Sequence, residues 1–161
     1  MCSSDLNTVK TLLEAGADVN KTTADKTSAL DLAILNGNYE LAIYLLNKGA
    51  DPNIANNKGW SPLYQAVKNR NLETGAVPLV KTGSVIDEME VIQQLLAHGA
   101  NPNIPMKANS QSRNGQGGTW LNEAGATPFL RAALSGDLTV MKLLLPYGAD
   151  PNIPTSDGTT P

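Results

Sequence analysis

The chain has very few of the side chains on which catalysis and metal binding usually depend. It contains one histidine, His98, and one cysteine, Cys2. A zinc site needs a set of Cys and His ligands, and Cys–His or Ser–His catalysis needs a histidine base beside the nucleophile. His98 precedes a glycine at a helix end, where a cation suits the helix dipole. We therefore expect no enzyme activity, no metal and no cofactor in this chain.

Long apolar runs and an excess of basic residues are also missing. No apolar stretch approaches the ~18 residues that cross a bilayer. The net charge is −3, whereas a surface dedicated to nucleic acid is normally basic. We expect neither a membrane nor a nucleic acid as partner. Hydrophobic residues make up 41% of the chain, which is enough for a folded core.

The first six residues, MCSSDL, bear on where the natural protein begins. They resemble a common sequencing-adapter tail read as protein, and on that interpretation Cys2 is an artefact. The alternative is an ordinary start methionine followed by a free surface thiol. No secretory leader pattern opens the chain.

One phrase occurs four times along the chain. The dipeptide Gly-Ala begins at Gly16, Gly49, Gly99 and Gly148, so the intervals are 33, 50 and 49 residues. A helix-entry phrase follows each copy, starting at Ser28, Ser61, Thr127 and Thr160. The sequence therefore predicts a base unit of 33 residues, with insertions at different places in two of the units.

Within a unit the pattern predicts a helix, a tight turn, a second helix and a long turn. The first helix follows Ser28, whose hydroxyl oxygen suits an N-cap, and Gly37 ends it. Its inward residues are Leu30, Ala33 and Ile34. The second helix ends at Gly49, and its inward residues are Leu41, Leu45 and Leu46. A helix pair of this kind buries only one side by itself, and stacked neighbours bury the rest.

This unit resembles the ankyrin repeat. The matching features are the Ser61-Pro62-Leu63 helix entry, the helix-turn glycines Gly37 and Gly136, the Gly-Ala-Asp/Asn-Pro-Asn turns, and the leucine pairs at 12–13, 45–46, 95–96 and 144–145. The resemblance implies an all-α fold, an ankyrin-repeat solenoid of stacked helix-turn-helix units with hairpin-like fingers.

The chain departs from the family pattern in two places. The usual His after the helix-entry Leu is replaced by Asp31, Tyr64 and Leu130, and the usual Gly before the helix entry is Lys26 in the second unit. These changes alter the ties at the helix starts, because in the family that His makes hydrogen bonds there.

We place the ankyrin-repeat domain at residues 5–161. Its parts are the second helix of a truncated repeat (5–23), a repeat (24–56), a repeat with an insertion at about 70–86 (57–104), a repeat with a finger insertion at about 105–124 (105–153), and the start of a truncated repeat (154–161). Because repeat arrays need about three units and polar end caps, we expect a fragment of a longer array. We expect it to be monomeric within that longer chain and only marginally stable alone.

The two insertions admit two interpretations each. The first packs on the stack through Val77, Leu79, Val80 and Ile86, or it is a tolerated surface loop. The second lengthens a finger beside the groove, with flexibility from Gly115, Gly117 and Gly118. Its Arg113 and Trp120 are of the types enriched in binding hot spots. The alternative is that Trp120 folds back and anchors the loop on its own stack.

The resemblance implies binding of another protein through the concave groove and the fingers. The candidate contact residues are Asp25, Thr27, Asn36, Lys58, Trp60, Lys68, Asn69, Arg113, Trp120, Glu123 and Ser135. Trp60 is the leading anchor, since Trp buries a large area and keeps a polar edge. The competing interpretation is that Trp60 only packs against the neighbouring finger.

Three functions are consistent with the sequence. The leading one is a non-catalytic scaffold for protein–protein interaction. The second is a region that targets or positions a larger enzyme or toxin, whose catalytic domain lies outside this chain. The third is direct binding of a carbohydrate or small ligand by the long finger.

Overall fold

The chain folds into a row of helix pairs. A computed structural model describes residues 3–71, 86–108 and 123–161. Its helices are α1 (Ser3–Glu14), α2 (Ala29–Leu35), α3 (Tyr39–Asn47), α4 (Pro62–Arg70), α5 (Glu88–Ala97), α6 (Pro128–Leu134) and α7 (Leu138–Leu144), and a 3₁₀ helix follows at Leu145–Tyr147. Within those ranges the β structure is limited to one isolated bridge between Thr22 and Ser28. The all-α fold that the sequence predicted is confirmed.

The first helix of each complete pair begins at a capping hydroxyl. Ser28, Ser61 and Thr127 each accept a hydrogen bond from the backbone N–H three residues further on, at 3.1, 3.2 and 3.3 Å. These bonds satisfy donors that a helix start would otherwise leave free. Pro62 and Pro128 follow two of the caps, where proline fits because its missing N–H is not needed.

The helices stack in two layers with the core between them. The first helices α2, α4 and α6 contact one another in series, and the second helices α3 and α5 do the same. Ile34, Leu45, Leu63, Ile92 and Leu95 are almost completely buried at the junction of the layers. Burial of each such side chain contributes about 1.5–3 kcal/mol, so the apolar positions of the repeat account for the stacking.

Hairpin-like fingers project where one pair passes to the next. Their described parts are residues 23–27, 56–60, 106–108 with 123–126, and 155–159, which we number as the first to the fourth finger. In each finger a backbone N–H donates to a carbonyl across the hairpin: Thr23 to Thr27 at 3.0 Å, Asn56 to Trp60 at 3.0 Å, Met106 to Ala126 at 2.9 Å and Thr155 to Thr159 at 2.8 Å. The fingers are also bonded to each other, through Asn57 N–H to Asp25 O, Lys107 N–H to Lys58 O, and Ser156 N–H to Ala124 O.

Asparagine side chains just before the first three fingers tie successive units together. Asn20, Asn53 and Asn103 each donate from Nδ2 to the carbonyl of a helix-ending glycine in the next unit, at 3.2, 3.0 and 2.8 Å. The Oδ1 of each one accepts the N–H two residues beyond that glycine, at 2.8, 2.7 and 2.8 Å. The same two-bond joint therefore connects every pair of neighbouring units.

The two insertions leave the stack at different places. The first follows α4, and most of it, including Val77, Leu79 and Val80, lies outside the described residues. Ile86, where the chain returns, packs against the main core. The second leaves the third finger after residue 108 and returns at Glu123. Arg113, Trp120 and the glycines at 115, 117 and 118 lie outside the described residues.

The acidic residues at the start of α5, Asp87, Glu88 and Glu90, contribute to the fold. Asp87 caps α5 by accepting from the Glu90 N–H at 2.9 Å, and the Tyr39 hydroxyl donates to Glu88 Oε1 at 2.9 Å. His98 caps the other end of α5 and is exposed. None of the helices in the described ranges is long and apolar enough to cross a membrane.

Candidate functional site

The candidate contact residues that the structure describes lie in the fingers and on α2, α4 and α6 or at their ends, and the repeat register predicts that they share one side of the stack. We call this side the groove face. Of the candidates, the exposed ones are Asp25, Asn36, Lys58 and Ser135, the partly buried ones are Thr27, Trp60, Lys68 and Asn69, and the buried one is Glu123. Arg113 and Trp120 lie outside the described residues.

Trp60 lies at the base of the second finger. Its ring meets the Tyr64 ring edge-on, with centroids 5.8 Å apart and planes at 86°. The Lys68 ammonium lies 4.6 Å from the Trp60 ring centroid, a cation–π distance. Trp60 also packs against the small cluster that includes Met106 and Leu130. Its ring is therefore fixed on the third finger while part of it stays accessible.

Lys68 is held by a carboxylate from the next unit. Its Nζ donates to Glu123 Oε1 at 3.2 Å and to Oε2 at 3.4 Å, and the Tyr64 hydroxyl donates to Glu123 Oε1 at 3.4 Å. Glu123 is only 1% exposed. The sequence pattern placed Glu123 on an open surface, and its burial shows that this placement was wrong. Glu123 orients Lys68 and Tyr64 from below the groove face.

Burial also alters the titration of these groups. It lowers the pKa of Lys68, and the charge of Glu123 opposes that effect. It raises the pKa of the Tyr64 hydroxyl, and Glu123 adds to the rise. Both shifts have the directions that desolvation imposes on an ammonium and on a phenol.

Arg131 belongs to this site although the sequence did not single it out. It lies on α6 and is 7% exposed, and its Nε has no hydrogen-bond partner among the residues that the structure describes. Its charge lowers the pKa of both Tyr64 and Lys68, which places it near the Lys68–Glu123 pair. Arg131 is four residues after its N-cap, like Leu32 in α2 and Gln65 in α4. This shared position in the repeat is the sequence signal that could have identified Arg131 as a residue of the site.

Polar residues on the outward sides of the helices are partly engaged with the backbone. Asn69 Nδ2 donates to the Ile34 carbonyl at 2.7 Å, which links α4 to α2. Gln65 Nε2 donates to Asn69 Oδ1 at 2.6 Å. Asn36 Nδ2 donates to the Leu32 carbonyl at 3.0 Å within its own helix. Asn36 remains exposed, whereas Asn69 contributes mainly to the joint between helices.

The α2 end of the groove face is apolar outside and acidic inside. Leu32 and Leu35 are 41% and 39% exposed. Beneath them Asp31 is 4% exposed, and its Oδ1 has no hydrogen-bond partner in the described part of the chain. Burial, with a smaller effect from the charge of Asp25, raises the pKa of Asp31 to about 7. A neutral carboxylic acid is therefore the favoured form of Asp31 below that pH.

The described side chains of the groove face are suited to non-covalent contacts. The described ranges contain no group of three His, Cys, Asp or Glu side chains placed to hold a metal ion. The face instead offers an aromatic ring, exposed leucines, amides and cations, which are the groups of protein interfaces.

Comparisons with known proteins agree with this architecture. A family model described as ankyrin repeats in three copies matches residues 1–106, and a model described as an ankyrin repeat matches residues 124–153. The glp-1 protein of Caenorhabditis elegans is 45% identical over 60 residues, which are 37% of this chain and 5% of that protein.

Two further relatives are a viral protein and a protein named as an enzyme. A fowlpox virus protein named for its ankyrin repeats is 34% identical over 126 residues, covering 63% of this chain and 26% of that protein. The NAD-dependent deacetylase sir2B of Dictyostelium discoideum is 34% identical over 74 residues, covering 44% of this chain and 10% of that protein. The chain thus spans only a small part of the length of the curated relatives it matches.

Proposed function

Because the chain belongs to the ankyrin repeat family, whose repeats generally mediate protein–protein interaction, we propose that it binds a partner protein through the groove face. The ankyrin repeat is a non-catalytic module. The finer statement, that binding uses the fingers and the outward sides of α2, α4 and α6, is our inference from the groove face.

The observation that carries the proposal is the Trp60–Lys68 stack. A partly exposed tryptophan ring with a lysine ammonium over it presents a residue type that dominates binding energy at interfaces. The Tyr64 ring at its edge is fully buried and supports it from within the fold. The groove face also carries exposed apolar side chains at Leu32 and Leu35 and exposed polar side chains at Lys58 and Asn36. A partially buried aromatic with a mixed rim is the usual anatomy of a contact centre.

The experiment uses the tagged chain as bait, with quantitative mass spectrometry of the proteins recovered, followed by affinity measurement for the leading one. Trp60→Ala should weaken that affinity by about 2 kcal/mol or more, roughly 30-fold. Leu35→Glu should weaken it as well, and its exposed position leaves the core intact.

Tyr44→Ala is the matched control. Tyr44 lies on α3, in the second-helix layer, and also carries a lysine over its ring, Lys48 at 5.6 Å. It should leave the affinity unchanged. Equal affinities for the parent chain, Trp60→Ala and Leu35→Glu, with melting curves showing intact folds, would overturn the proposal.

A second candidate function is the positioning of a catalytic domain in a larger protein. The likeness to the sir2B deacetylase, and to an L-asparaginase of Dirofilaria immitis at 33% identity over 87 residues, favours it. The test is the complete reading frame: a catalytic domain in the same polypeptide would support this candidate, and a frame containing only repeats would contradict it.

A further inference from the structure

We propose that Lys68 and Arg131 together form a receptor for an oxyanion of the partner, either the carboxylate of an Asp or Glu side chain or the phosphate of a phosphorylated one, carried on a peptide segment. The inference rests on the proposed function and adds the chemistry that the groove face recognises. We call the residues Trp60, Tyr64, Lys68, Glu123 and Arg131 the cationic site.

The first argument is the balance of charge at the cationic site. It contains two cations, Lys68 and Arg131, and one carboxylate, Glu123. Both oxygens of Glu123 already accept from Lys68, and one also accepts from Tyr64. Arg131 has no ion pair within the described ranges. Among these described side chains the cations outnumber the carboxylates by two to one, although the chain as a whole has a net charge of −3.

The second argument is that the fold does not need an arginine at this position. Arg131 is 7% exposed and its Nε has no hydrogen-bond partner among the described residues, and a polar group buried without a partner destabilises the folded state. The same register position holds Leu32 in α2 and Gln65 in α4, so a neutral side chain completes the helix equally well. Destabilising groups of this kind concentrate where function requires them.

The third argument is geometric. A guanidinium presents a fixed fork of donors that matches a carboxylate or phosphate, and the adjacent Lys68 adds a second donor that Glu123 already orients. Trp60 and Leu134 pack against the apolar cluster that contains Tyr64 and remain only partly buried, so they add partly exposed apolar surface next to Tyr64. The fitting segment has an acidic residue next to an apolar one.

The test uses four fluorescent heptapeptide libraries, random except at a central residue fixed as Glu, phosphoserine, Gln or Lys. Binding to the intact chain is measured by fluorescence polarisation at low and high salt. The Glu or the phosphoserine library should bind at least about tenfold more tightly than the Gln library, with the Lys library weakest. The preference should shrink as salt rises. The ranking of Glu against phosphoserine identifies the source of the oxyanion.

Arg131→Leu gives α6 the side chain that α2 has at the same position. It should abolish the acidic preference and raise the melting temperature, because it removes a buried polar group that lacks a partner among the described residues. Lys68→Gln is a second variant and should also reduce the preference. Lys107→Ala removes one exposed lysine from the third finger, outside the cationic site, and should leave the preference unchanged.

Two results would overturn the inference: equal binding of the four libraries by the parent chain, or an acidic preference that survives in Arg131→Leu and Lys68→Gln. A lower melting temperature for Arg131→Leu would also overturn it, since it would make Arg131 a structural residue. If Trp60→Ala abolished partner binding but acidic peptides were not preferred, this inference alone would fail. If acidic peptides bound at Arg131 but no partner depended on Trp60 or Leu35, the proposed function would fail instead.

Discussion

The first helices α2 and α4 begin at the same kind of cap and share four buried inner positions, yet they present different chemistry on the groove face. Leu30 and Leu63 are equivalent in register and both are buried, as are the residues that follow them on the inner side. Seven residues after the cap, α2 has the exposed Leu35 and α4 has Lys68, paired with Glu123.

The difference shows which positions stacking constrains. Inner positions contact neighbouring helices, so their size and polarity are set by close packing. Positions on the groove face contact solvent or a partner, so packing leaves them free to vary. The third position after the cap is an inner position at which α2 and α4 differ. The Tyr64 hydroxyl reaches Glu123 in the third finger and donates a hydrogen bond to it, whereas the shorter Asp31 leaves its Oδ1 without a partner in the described residues.

The largest expected effect is on the free energy of unfolding and tests the buried positions that α2 and α4 share. Leu30→Ala and Leu63→Ala each remove a buried side chain from equivalent positions, and each should lower the free energy of unfolding by about 2–5 kcal/mol. The measurement is urea denaturation followed by circular dichroism. Leu32→Ala, on the exposed side of α2, should cost less than about 1 kcal/mol. Equal costs at Leu32 and Leu63 would break the distinction between inner and groove positions.

The next effect concerns Asp31, which occupies in α2 the buried position that Tyr64 occupies in α4. Burial raises its pKa from the ordinary 3.8 to about 7, so between those values the folded state holds a proton that the unfolded chain releases. The free energy of unfolding should therefore fall as the pH rises from about 4 to about 7. Asp31→Asn should remove most of that pH dependence and raise the free energy of unfolding at pH 8 by about 2–4 kcal/mol.

Chemical denaturation at pH 5 and pH 8 measures the Asp31 effect. Glu14→Gln, an exposed carboxylate at the end of α1, is the control and should preserve the pH dependence of the parent chain. If Asp31→Asn showed the same pH dependence as the parent, the buried carboxyl would not be the titrating group.

The smallest effect compares the finger residues that precede the two helices. Lys26 has φ 66°, and the equivalent Gly59 has φ 82°, a region that disfavours side chains. Lys26→Gly should stabilise the chain by about 0.5–1 kcal/mol, since relief of strain exceeds the added entropy of the unfolded state. Thermal and urea unfolding measure the gain.

Gly59→Ala should destabilise the chain, and by more than Lys26→Gly stabilises it. A Cβ there would lie 2.5 Å from the Lys107 backbone nitrogen in the next finger. The same substitution at Gly158, whose Cβ would meet nothing within 4 Å, isolates the cost of the backbone conformation. Equal losses at the two glycines would show that the contact between fingers contributes little.

The sequence predicted the fold because its informative features are local. The caps at Ser28 and Ser61, the helix-ending Gly37 and the leucine pairs all act within a few residues, and their repetition reveals the stacking. The side on which Trp60 and Lys68 lie also follows from register. Whether these residues contact a partner stays a prediction.

The cationic site was not predictable in the same way because its contacts join distant units. Lys68 and Glu123 are 55 residues apart, and two insertions separate the repeats that carry them. Register specifies a side of a helix but not which side chains meet across a joint. Glu123 was therefore assigned to an open surface, and Arg131, whose burial depends on neighbouring fingers, received no role.

The asparagine joints have a consequence for how such a chain can evolve. Asn20, Asn53 and Asn103 make the same two bonds to the next unit, whatever the groove face carries and whether or not an insertion intervenes. Unequal recombination that duplicated or excised one unit would rejoin identical hydrogen-bonding ends. The array can thus gain, lose or shuffle recognition surfaces by gene rearrangement without first inventing a new way to connect them.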